Sequence, residues 1–245
     1  MTLPMPATPM PVLSCAQAST AAELEEVQRF RYRIYVEELG KPLDTADHGR
    51  KALIDPLDDG ALHFSCRTRC GELVGTARLH LATSPAFPAC IAALLGIGPF
   101  LAEHGLPVGF ISKLMIDPGL RGRGATLHLL SHIYREGRDQ GAVVCFSHCQ
   151  PKWVPLYEKL GVRRFGWVFH DAAAGTQVPM VQLLEDEAHY RHCGSPLLKD
   201  CLAYENDAAR VRELRDWFLI RMAWQGAESH QRQAAVAEIS LRSSM

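Results

Sequence analysis

Apolar residues at Leu24, Val27, Phe30, Ile34 and Tyr35 follow near-helical spacing across residues 20–39, directly after a Ser-Thr pair, and predict an amphipathic helix. Gly40-Lys41-Pro42 breaks it. The polar turn DPLDDG leads into ALHFSCRTRC, whose partial alternation reads as a strand, and Gly71-Glu72 turns the chain back into a second strand, LVGTARLHL. Residues 84–109 carry four prolines and a short apolar run, which suits a helical or looped crossover. FISKLMID, PGLRGRG and ATLHLLSHIYREGRDQG then spell strand, glycine turn, helix. A second buried strand (GAVVCFSH), a short helix opened by proline and closed by glycine (PKWVPLYEKLG) and a strand pair (RRFGWVFH, QVPMVQLL) around DAAAGT complete the pattern.

This order predicts an α/β fold with a mixed central sheet of about six to seven strands flanked by helices. The expected organisation is a flexible leader over 1–19, one domain over 20–185 and a polar, helical C-terminal extension over 186–245 that frays after Gln225. No segment repeats.

With 26 Lys+Arg against 27 Asp+Glu in 245 residues, the chain lacks the broad charge that nucleic-acid or anionic-membrane binding draws on, so an anionic ligand has to be met by a local cluster. Apolar stretches such as Ile91–Leu95 and Val143–Phe146 fall far short of the ~20 residues that span a bilayer. The N-terminal stretch lacks the basic and continuous apolar regions of a secretory signal, and a cytoplasmic protein is expected. The eight cysteines therefore read as reduced, buried thiols. Cys66/Cys70 and Cys145/Cys149, the latter beside His148, stand four apart, about 13 Å along a strand, too far to share a metal ion. His128 and His132 have i, i+4 spacing but no third ligand and no Glu of an H-E-x-x-H motif, so no metal site is assigned. Trp153, Trp167, Trp217 and Trp224 do not interleave with a basic stripe and read as packing anchors.

The turn LRGRGAT carries the chemical signal. Gly122 and Gly124 let a ligand approach the backbone, and the N–H groups from Arg123 through Ala125 to Thr126 open a helix without intrahelical partners, a geometry that binds phosphate. Arg121 and Arg123 add charge for a diphosphate. Neither a P-loop nor a Rossmann fingerprint is present. The competing reading is a tight turn with two solvated arginines.

Arg121-x-x-Gly124-x-Thr126, preceded by SKLMIDP and followed by a strand and PLYEKLG, resembles the pantetheine-phosphate loop of the GNAT acyltransferase superfamily, with Thr126 in place of a smaller residue. The resemblance covers about Leu24 to Leu184. RFRYRIYVEELG, VGTARL and HYRHCGSPLL further resemble the long-chain N-acyl amino acid synthases and N-acyl homoserine lactone synthases. Phe110, before Ile111-Ser112-Lys113, stands where lactone synthases carry a glutamate, so a general base has to come from elsewhere.

The resemblance implies that strands FISKLMID and GAVVCFSH splay apart to admit a thioester arm, with backbone N–H groups around Met115 and Ile116 free to bind the developing oxyanion. It places Tyr157 where many GNAT enzymes hold the acid for the leaving sulfur, against a packing role for the ring. His148, at its strand end, has a suitable unperturbed pKa for a base. Glu38 matches an acid at the end of the first helix that acts through water. Arg33 and Arg78 match arginines that bind an acceptor carboxylate, with Ser112 alongside; internal pairs with Glu37 or Asp55 are the competing reading. Lys113 reads as a strand cap.

The resulting expectation is an N-acyltransferase that moves an acyl group from a phosphopantetheine thioester, on acyl-CoA or acyl carrier protein, to a small, amino-acid-like amine, with no permanently bound cofactor. The alternatives are a non-catalytic pantetheine- or effector-binding module and a transferase using an aminoacyl-tRNA donor.

Overall fold

The computed structural model describes residues 11–81, 88–172 and 174–223. The ends of the leader and of the C-terminal extension, and residues 84–87 of the crossover, lie outside them.

Helix α1 (Ala21–Tyr32) starts at Thr20, whose hydroxyl accepts from the Glu23 N–H while the Glu23 carboxylate accepts from the Thr20 N–H, a reciprocal cap. From Arg33 to Glu38 the helix continues with π winding, which rotates the last turn and sets Arg33, Glu37 and Glu38 on its outer side. The reading of one helix over 20–39 therefore holds in extent and changes in pitch.

Ten strands follow in chain order: β1 (Leu13–Gln17), β2 (Ala46–Asp47), β3 (Ala52–Leu53), β4 (Leu62–Thr68), β5 (Leu73–Leu81), β6 (Val108–Ile116), β7 (Val144–Cys149), β8 (Arg163–Arg164), β9 (Phe169–Asp171) and β10 (Gly175–Leu183). The main sheet runs β1-β4-β5-β6-β7-β10-β8, with β9 on another stretch of β10; β2 and β3 pair by themselves. All its pairings are antiparallel except β6 with β7.

The mixed α/β sheet flanked by helices agrees with the expected class and has one more strand than the upper expectation. The addition is β1. Residues 13–17, read as leader, pair with β4 from Leu13↔Thr68 to Gln17↔Phe64. RRFGWVFH is two short strands, because Gly166 takes φ +62° and interrupts the run.

The crossover contains α2 (Ala89–Leu95) and α3 (Gly98–His104); α4 (Ala125–Asp139) and α5 (Val154–Lys159) follow β6 and β7, and α6 (Glu187–His192), α7 (Leu198–Cys201) and α8 (Ala208–Ala223) form the described part of the extension. Strand alternation divides the core between the two faces of the sheet. Cys145 and Cys149 of β7 face a cluster with Leu129 and Ile133 of α4, Tyr190 and Leu197. Val144 and Phe146 face the opposite cluster with Ile91, Phe100, Leu214 and Phe218. Arg138 and Arg210 both pair with the buried Glu185 carboxylate, at 2.8 and 2.6 Å, and fasten the extension to the sheet.

Candidate active site

Strands β6 and β7 pair only from Val108↔Val144 to Phe110↔Phe146, after which both continue without mutual register and open a gap. A bulge accompanies the separation. On β5, Thr76 faces Met115 and Arg78 faces Ser112, so Lys113 and Leu114 together oppose Ala77. Lys113 adopts φ +52°, a conformation that costs a non-glycine residue on the order of 1–3 kcal/mol. Its ammonium is held 2.6 Å from Asp55 Oδ2 and lies 5.4 Å from the Tyr35 ring centre.

The Asp117 N–H donates to Val74 O (2.8 Å). Ladder alternation therefore turns the Met115 peptide groups toward β5 and those of Ile116 toward the gap. This corrects the expectation for Met115, whose buried side chain packs with Phe30 and Ile34. Arg121 Nε donates to the Ile116 carbonyl at 2.9 Å, and the Ile116 N–H faces the gap.

After β6, the Asp117 carboxylate caps a short turn through Pro118–Leu120, and Gly122 (φ +70°) and Gly124 (φ +91°) bend the chain into α4. Gly124 supplies no capping side chain, so the N–H groups of Ala125, Thr126 and Leu127 have no partner inside the helix. The Arg123 N–H differs from expectation, since it bonds Leu120 O at 3.3 Å.

Arg121 and Glu38 find each other across 83 residues: Nη2 donates to Oε2 at 2.8 Å and Nη1 to Oε1. The Arg121 guanidinium holds the Glu38 carboxyl below its ordinary range, opposite to what a base requires. Glu38 is thus already paired with Arg121 at the rim of the gap, which bears against the expected role as a proton acceptor. Arg33 Nη2 donates to Asp117 Oδ2 at 3.0 Å.

On one face of the gap lies a narrow, mainly apolar pocket, partly open to solvent. Ile111 and Leu114 of β6, Leu130 and Gly137 of α4, Ser147 and Tyr157 line it. Burial, with Cys149, Tyr35 and Cys145 adding to it, pushes the Tyr157 phenol up, so it keeps its proton.

The opposite face is ionic. Asp58 Oδ1 accepts from Arg31 at 2.7 Å and from Arg78 at 2.9 Å; Arg78 also lies 3.3 Å from Asp55, and its Nε donates to Ser112 Oγ at 3.0 Å. Arg78 is 2% exposed. The Arg78–Asp55 pair is the internal alternative drawn from the sequence; Arg78 and Ser112 are engaged with the protein rather than presented to a ligand. Burial alone would raise Asp55, but Lys113 and Arg78 outweigh it and hold the carboxyl well below its ordinary value. Burial, then Arg78, takes His80 down to about 4, so this histidine is neutral at pH 7.

His148 belongs to the ionic face, between the rings of Phe110 (5.9 Å) and Phe169 (5.5 Å). Burial lowers its pKa, leaving a neutral imidazole at neutral pH. Its Nδ1 stands 3.0 Å from Gln177 Oε1.

Of the predicted residues, the structure brings Tyr157, His148, Ile116 and the glycine turn around one gap. The Lys113 bulge was missed and shows only in the structure, where Ile111 and Leu114, three apart, line the same pocket. Gln177 left no signal in the sequence. Among the described residues no three His, Cys, Asp or Glu side chains converge as a metal site, and no helix is long and apolar enough to cross a membrane.

Comparison with known proteins bears on the fold and family. FeeM, an N-acyl amino acid synthase from uncultured soil microbes, superposes with a TM-score of 0.57 at 15% identity, covering 78% of this chain and 98% of that one. The CoA-dependent acyl-homoserine lactone synthase BjaI, solved with SAM and isopentyl-CoA, gives 0.51 at 21% identity over 71% and 82% of the two chains. A curated relative, glucosamine 6-phosphate N-acetyltransferase of Trypanosoma brucei brucei, is 33% identical over 72 residues, 29% of this chain, and the chain spans about half (49%) of that relative's length. The family model for N-acyl amino acid synthase FeeM matches residues 26–184, more than half of the chain and including every strand that borders the gap. The chain belongs to the FeeM N-acyl amino acid synthase family and has the GNAT fold.

Proposed function

We propose that this protein is an acyltransferase that moves an acyl group from a phosphopantetheine thioester, on acyl-CoA or acyl carrier protein, to the amine of a small acceptor bearing a carboxylate. The carrying observation is the gap itself, with an apolar void and a protonated phenol on one side and a neutral imidazole beside a cationic cluster on the other. The unpaired N–H groups of Ala125–Leu127 suit the phosphate end of the arm. The void suits an acyl chain, which has no hydrogen bonds to lose there.

The acceptor amine approaches from the His148 face. Its nitrogen attacks the thioester carbonyl, a C–N bond forms, and the oxygen gathers charge against the Ile116 N–H. The proton shed by nitrogen passes to His148; the C–S bond breaks and the Tyr157 O–H protonates the departing sulfur. One proton leaves nitrogen and one reaches sulfur, so the products are an amide and a thiol, and solvent returns the proton from His148 to Tyr157.

The carboxylate preference rests on the charge count of the ionic face. Arg31, Arg78 and Lys113 outnumber Asp55 and Asp58 by one charge within the cluster, while the Asp171 carboxylate acts on His148 with the opposite sign. Lys113 is the most exposed of the three cations. Incubation with a panel of acyl thioesters and amines, read by mass spectrometry, tests the proposal. The expected product is an N-acyl amino acid or a close analogue. No acyl product with any donor would leave a binding module in place of the transferase.

A further inference from the structure

We propose that Gln177 is a positioning residue that fixes His148 as the Nδ1–H tautomer, so that Nε2 carries the lone pair that accepts the proton from the incoming amine. This rests on the reading of His148 as the base and specifies which nitrogen acts and what sets it.

The assignment follows from the surroundings of the amide. Gln177 is 3% exposed on β10, and its Nε2 lies 3.0 Å from Ala174 O and 3.3 Å from Gly175 O. Carbonyl oxygens only accept, so the nitrogen of the Gln177 amide must face them and the oxygen must face the imidazole. Gln150 Nε2 donates to the same Ala174 carbonyl at 2.7 Å, and the Ala174 N–H donates to Asp171 Oδ1 at 2.6 Å, so the loop that orients Gln177 is itself pinned. With Oε1 3.0 Å away, His148 Nδ1 has to donate, and a neutral ring that donates from Nδ1 has its lone pair on Nε2. Among the described residues no group hydrogen-bonds Nε2.

Charge around the ring agrees with a neutral base. Lys113 of β6 and Arg78 of β5 act with burial against the imidazolium, whereas Asp171 of β9 and the bond to Gln177 favour it. The flanking Phe110 and Phe169 rings carry no charge.

The test uses the full chain labelled with ¹⁵N in its histidine rings. Long-range proton–nitrogen correlation at neutral pH is expected to show one histidine, absent from His148→Asn, with a protonated Nδ1 and an unprotonated Nε2. A proton on Nε2 in the wild type would overturn the inference whatever the activity does. In Gln177→Met, which keeps the volume and removes the acceptor, the Nε2–H form should appear and kcat should fall at least about tenfold with donor KM unchanged. An unchanged tautomer in a folded Gln177→Met also overturns it. If the wild-type tautomer is as stated but His148→Asn turns over normally, the base assignment itself fails.

Discussion

The two faces of the splayed sheet solve different problems with the same strands. The Tyr157 face is lined mainly by apolar side chains around a void, and the phenol is its main polar instrument. The His148 face is crowded with charge, yet Arg31, Arg78, Lys113, Asp55 and Asp58 are all committed to partners. A long apolar tail needs space and no hydrogen-bonding groups, while a charged acceptor needs a field that does not collapse onto it. Pairing the arginines internally fixes that field before any ligand arrives and leaves Arg78 engaged with Asp55, Asp58 and Ser112.

Removing a central carboxylate should break the ionic face most severely. Asp58→Asn leaves Arg31 and Arg78 short of a counter-charge in a buried setting and should cost about 3–5 kcal/mol of stability by denaturant titration. The pH dependence has a definite sign. Asp55 and Asp58 are held below their ordinary value of 3.8, so their contribution is complete above about pH 4 and is lost as pH falls through the depressed folded values. Acid unfolding of the wild type, followed by circular dichroism, should be less steep in Asp58→Asn over that range.

On the apolar face, Tyr157→Phe removes the acid and leaves the void intact. It should slow turnover at least about a hundredfold while donor KM stays within a few-fold. Unchanged kcat would remove Tyr157 from the chemistry. A smaller effect is expected from Gly137→Leu. Outside the helix's own backbone the nearest atom to an added Cβ there is Ala142 Cβ at 3.8 Å, an ordinary contact, and the rest of the leucine would narrow the pocket that Gly137 lines. The kcat/KM for the longest accepted acyl chain should fall about tenfold relative to the shortest. Equal loss across chain lengths would place the tail elsewhere.

The smallest effect distinguishes a rim ion pair from a base. Glu38→Gln loosens Arg121 from an exposed pair and should change kcat by less than about threefold. A hundredfold drop would restore Glu38 as a proton carrier.

What could be read from sequence was local. Strand, glycine turn and helix from FISKLMID to Gly141 are written in consecutive residues, because turns and helical periodicity are set by near neighbours. Strand β1 was not legible, since five residues in a proline-rich leader become a strand only when β4 is available to pair. The partners of Arg121 and Arg78 were hidden for the same reason: Glu38 is 83 positions from the first and Asp58 is 20 from the second, and spacing says nothing about which folded contact will form. The residues that looked free for ligands were those whose counter-charges lay far along the chain. Gln177 illustrates the limit, because an amide acquires meaning only from the two carbonyls that orient it.

The most direct measurement is a crystal structure with a non-hydrolysable acyl-CoA thioether. The account predicts its phosphates at the Ala125–Leu127 amides, its carbonyl within hydrogen-bonding distance of the Ile116 N–H, and its acyl chain in the void beside Tyr157. An arm bound elsewhere, with those amides and the void unused, would contradict it.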